Sequence, residues 1–69
     1  MSNMTPESIR RALAYIESTR ADDEAAHGAE DALHKAVLLA IADGTASDPA
    51  ACAREALRTI EIEFARWCA

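Results

Sequence analysis

Two prolines punctuate the chain, and each follows residues that cap helices. In "MTPES" Thr5 precedes Pro6, and in "TASDPAA" Ser47 and Asp48 precede Pro49. Proline at the first helical position gives up no hydrogen bond, and its fixed φ suits the helix. A Thr, Ser or Asp side chain just before it accepts from an N–H that the helix leaves unpaired. Both prolines therefore mark helix starts rather than breaks. Gly44, in "IADGT", supplies a matching stop, because glycine takes the left-handed conformation of a helix terminus without steric cost. The chain has 69 residues, only two prolines and two glycines, and an excess of Ala, Leu, Glu and Arg. These features predict an all-α fold: a small three-helix domain, made of a helix and an antiparallel helical hairpin, with a short aromatic C-terminal turn.

The first helix is predicted from about Pro6 to Thr19. Ile9, Leu13 and Ile16 follow the i, i+4, i+7 rule, Ala12 and Tyr15 widen the stripe, and Arg10, Arg11, Glu17 and Ser18 face water. The second helix has two candidate starts. Either Asp22 or Asp23 caps one long helix, or a turn over 23–27 precedes a helix opening near Gly28, with Glu30 and Asp31 in its first turn. The later start is preferred, and either version ends at Gly44. The third helix opens at Pro49, with Ala53, Ala56, Leu57 and Ile60 as its inner stripe. The short connection from Gly44 makes helices two and three antiparallel neighbours. In "IEIEFARWCA" both period-2 and helical spacings are present, so the helix is expected to end near Thr59 or Glu61. An extended link and a short helical turn bearing Phe64 and Trp67 follow.

Size and charge narrow the function classes. A chain this short folds as one domain and buries only about 60% of its unfolded surface, so a monomeric core is marginal and partners are expected. Half the residues are apolar, at 51%, but many of these are alanine. The net charge is −5 and the seven basic residues are dispersed, which argues against direct nucleic-acid binding. Cys52 and Cys68 alone cannot build a four-thiolate zinc site and are read as free thiols. "MSNMTPESIRR" lacks the apolar region of a signal peptide, and no apolar run is long enough to span a membrane, so the expected location is the cytoplasm.

The segment "HGAEDALH" is the one stretch that suggests site chemistry. On a continuous helix, at about 100° per residue, His27, Asp31 and His34 share a face with Leu38 and Ile41. Two imidazoles and a carboxylate suit a divalent cation, and i, i+3 acid and histidine pairs occur in bundle metal sites. Such sites draw ligands from several helices, however, and helices one and three offer no inward histidine. If the helix starts at Gly28, the stripe dissolves. The expectation is no metal and no cofactor, with His27, Asp31 and His34 as the alternative ligand set. Catalysis is not expected, because small side chains on three helices form little concavity and no nucleophile lies beside a base.

The apolar sector of the second helix widens towards its C-terminal half, through Leu33, Val37, Leu38, Ala40 and Ile41, with Leu39 on the far side. A sector that wide needs cover from both neighbouring helices, the aromatic tail and a second chain, so a homodimer seam at Leu38 and Ile41 is expected. In so small a protein Phe64 and Trp67 serve first as core plugs. Phe64, Arg66 and Trp67 also belong to residue types enriched at interaction hot spots, and with Leu38 and Ile41 they are the candidate interaction residues.

The H-x-x-E-D-x-L-H segment at 27–34 and the tail "FARWCA" at 64–69 resemble a group of short uncharacterised proteobacterial and phage-encoded proteins. The similarity spans roughly 22–69 and implies a mobile-element origin, with no particular chemistry attached. The expected function is a protein–protein interaction module acting as regulator, adaptor or inhibitor, rather than an enzyme. The alternatives are a metal-binding helical protein and an acidic nucleic-acid mimic. Mimicry requires Asp22, Asp23, Glu24, Glu30 and Asp31 to form one exposed surface.

Overall fold

Thr5 sets the start of the first helix with a reciprocal cap. Its Oγ1 accepts from the Ser8 N–H at 3.0 Å, and the Thr5 N–H donates to Ser8 Oγ, also at 3.0 Å. In the computed structural model, which describes residues 4–64, this cap opens α1, Pro6–Ser18. Helix α2 follows over Asp23–Asp43 and α3 over Pro49–Leu57, and a single 3₁₀ turn covers Arg58–Glu61. The described residues contain no β-strand, only an isolated parallel bridge between Met4 and Ala46. The all-α three-helix architecture is therefore the one read from the punctuation.

The earlier of the two starts for α2 is the one adopted, against the expected opening near Gly28. Asp22 has extended backbone and its Oδ1 accepts from the Ala25 N–H at 3.2 Å, while Asp23 and Glu24 place negative charge in the first turn. Gly28 lies inside the helix, where its conformation is ordinary and a Cβ would meet nothing within 4 Å. Its propensity penalty of about 1 kcal/mol is smaller than the gain from a capped, acid-rich first turn with helix-favouring alanines behind it.

At the other end Gly44 takes φ 76°. The Thr45 N–H then reaches back to the Ala40 carbonyl at 2.9 Å, a Schellman-type closure. Gly44→Ala would force a Cβ into the left-handed region and is expected to lower unfolding free energy by about 1 kcal/mol, read from urea titrations.

The loop is anchored from the N-terminus. The Met4 carbonyl accepts from the Ser47 N–H at 2.7 Å, and the Cys52 thiol lies 3.8 Å from the same oxygen. Asp48 adopts φ 52° and caps α3 through its Oδ1 to the Ala51 N–H at 3.2 Å. An Asp tolerates this conformation better than most residues.

The core is made by Ile9, Leu13 and Ile16 of α1, Ala26, Leu33 and Val37 of α2, Cys52 and Ala56 of α3, and Ile62. The α1 stripe is the one predicted, except that Tyr15 lies outside it and is exposed. The α3 stripe is rotated. Cys52, Ala56 and Thr59 point inward at i, i+4, i+7, Ala53 is half-buried, and Leu57 and Ile60 are exposed. Small side chains on the inner face let α3 approach α1 and α2 closely, and the Cys52 thiol gains a hydrogen bond to the Ser47 carbonyl at 3.1 Å. The α-helix ends at Leu57, the 3₁₀ turn runs to Glu61, and Ile62 is extended with ψ 122°. Phe64 is half-buried against the core without helical structure. Trp67 and Arg66 lie outside the described residues.

Candidate functional site

Three kinds of surface are candidates: the histidine and carboxylate stripe of α2, the charged face between α1 and the 3₁₀ turn, and the groove between α2 and α3. The α2 helix runs continuously through His27, Asp31 and His34, as a shared face requires, yet the three side chains separate into two jobs. His27 Nδ1 lies 3.5 Å from Asp31 Oδ2 in an i, i+4 pair, with the Asp31 side chain largely in water. His34 turns the other way, onto α3. Its Nε2 is 3.2 Å from the Ala56 carbonyl and 3.0 Å from Thr59 Oγ1. Through these two contacts the imidazole ties α2 to α3 and the 3₁₀ turn. Among the described residues no three His, Cys, Asp or Glu side chains are grouped closely enough to hold a metal ion.

These two histidines make a testable contrast. Asp31→Asn is expected to change stability by less than about 0.5 kcal/mol, since exposed i, i+4 pairs contribute little. His34→Ala removes a part-buried link between two helices and is expected to cost about 1–3 kcal/mol. Parallel urea titrations of both variants read the difference.

The five carboxylates required for nucleic-acid mimicry do not form one exposed surface. Asp22, Glu24 and Asp31 are exposed and Asp23 is half-buried, while Glu30 is buried. Glu30 lies on the core-facing side of α2, together with Ala26, Leu33 and Val37.

The face between α1 and the 3₁₀ turn holds a cavity of about 430 Å³ over Leu13 and Ile62, rimmed by Arg10, Arg58, Glu17 and Glu61. Glu55 bridges the two arginines, at 3.5 Å from Arg10 and 3.1 Å from Arg58, and Arg58 also lies 3.9 Å from Glu61. With the rim charges balanced and both guanidiniums already paired, nothing in this arrangement selects an anion or a cation.

Cys52 is a buried free thiol. Burial pushes its pKa above the ordinary thiol value, and the nearby Asp48 carboxylate pushes it in the same direction. It is held as an un-ionised thiol donating to a carbonyl, the opposite of an activated nucleophile.

The α2/α3 groove has different chemistry. It encloses about 270 Å³ between Val37 and Leu38 on one wall and Ala53, Ala56 and Leu57 on the other, with His34 between them. His34 precedes the end of α2 by about as many residues as Ala56 follows the start of α3, so their contact folds the two helices back on one another as antiparallel neighbours. Leu38 is 67% exposed and Leu57 60%, so the groove has an apolar floor and two apolar lips open to solvent. Ile60, one turn beyond Leu57, is 72% exposed. Of the sequence-predicted interaction residues, Leu38 lies on this surface, whereas Ile41 and Phe64 are half-buried against the core. Sequence reasoning missed Leu57 and Ile60 as surface residues. Their signal was present in the competing register Cys52, Ala56, Thr59, which has the same helical spacing.

Compared with protein-family models, curated proteins and solved structures, the chain matches none. Among the described residues no helix is long and apolar enough to cross a membrane.

Proposed function

We propose that this chain is a small protein–protein interaction module, acting as a regulator, adaptor or inhibitor rather than as an enzyme, and that its contact surface is the α2/α3 groove. The observation that carries this reading is the pair Leu38 and Leu57, each more than half exposed on facing walls of one apolar groove. Fully burying one such side chain stabilises by about 1.5–3 kcal/mol, so water contact at both lips leaves a driving force for association. In helix-in-groove recognition a few apolar anchors supply most of the energy.

The first occupant we assign is a second copy of the chain. The lips of one copy are the apolar anchors that the groove of the other lacks, and a two-fold arrangement satisfies both grooves at once. His34, the titratable residue in the groove, has its Nε2 engaged by α3, which supports a binding role over proton transfer. The resemblance to short phage-encoded proteins supports a mobile-element origin, and the expected location remains the cytoplasm.

Sedimentation velocity over a concentration series tests the assignment. The native chain is expected to pass from monomer to dimer as concentration rises. Leu38→Glu and Leu57→Glu, with helicity unchanged by circular dichroism, should each weaken the dimer at least tenfold, about 1.4 kcal/mol. A native chain that stays monomeric throughout, or a dimer indifferent to both substitutions, overturns it.

A further inference from the structure

We draw no further inference here: the strongest candidate, the apolar groove between α2 and α3 with His34 in its wall, belongs to the surface already described, and nothing in the structure identifies an occupant more specific than the one proposed for it.

Discussion

Ile16→Ala is expected to leave the chain largely unfolded at room temperature. Ile16 is only 1% exposed and completes the α1 stripe with Ile9 and Leu13, packed against α2 and α3. Truncating a buried isoleucine to alanine costs about 2–5 kcal/mol through lost transfer energy and the cavity left behind. A single core of this size supplies only about 3–5 kcal/mol in total, so the loss is comparable to the whole stability. Much of the remaining core is small, in Ala26, Ala40, Cys52 and Ala56, and cannot collapse far enough to refill the gap. Far-UV circular dichroism with a urea titration reads the outcome. Ile60→Ala is the companion measurement at a concentration low enough to keep the chain monomeric. Its side chain is in water, so the change should stay within about 0.5 kcal/mol. Equal losses at the two positions would mean that α3 and the 3₁₀ turn pack with the opposite face inward.

The second large effect is the protection of Cys52. In a Cys68→Ser background a thiol reagent reports this residue alone, and reaction requires the packing around α3 to open. With about 3–5 kcal/mol of stability, the native rate should fall roughly 10²- to 5 × 10³-fold below that of the urea-unfolded chain. Comparable rates would show that α3 does not bury the thiol.

The same residue gives stability a pH dependence with a defined sign. Burial and Asp48 raise the folded-state pKa above that of the unfolded chain. The contribution is therefore complete below the ordinary thiol pKa, near 8.5, and is lost as pH rises from there through the folded value, because the unfolded chain ionises first. Cys52→Ala should flatten the alkaline fall in the urea midpoint. An unchanged fall in that variant would assign it to other groups.

Much of the fold was legible because the signals were local. Thr5 with Pro6, Asp48 with Pro49, and Gly44 each act within a few residues, through one hydrogen bond or one φ angle. The α1 stripe was legible for a related reason: Ile9, Leu13 and Ile16 contrast sharply with the arginines and glutamates between them. The start of α2 was read too late because Gly28 outweighed Asp22, although an exposed helical glycine costs little once a capped turn precedes it. The site was less legible. The helical stripe grouped His34 with His27 and Asp31, but the partners it takes, Ala56 and Thr59, lie 22 and 25 positions away.

The sequence by itself determined where α1 and α3 begin and where α2 ends, since caps, prolines and the terminal glycine are short-range chemistry that needs no partner. Which way α2 and α3 turn was decided by the tertiary structure. In an alanine-rich helix two neighbouring stripes have nearly equal hydrophobicity, so periodicity defines the faces without ranking them. Packing ranks them by size: Cys52, Ala56 and Thr59 allow a close approach that Leu57 and Ile60 would prevent. That choice buries Cys52, leaves Ile60 in solvent, sets Leu57 across from Leu38, and creates the groove on which the proposed function rests.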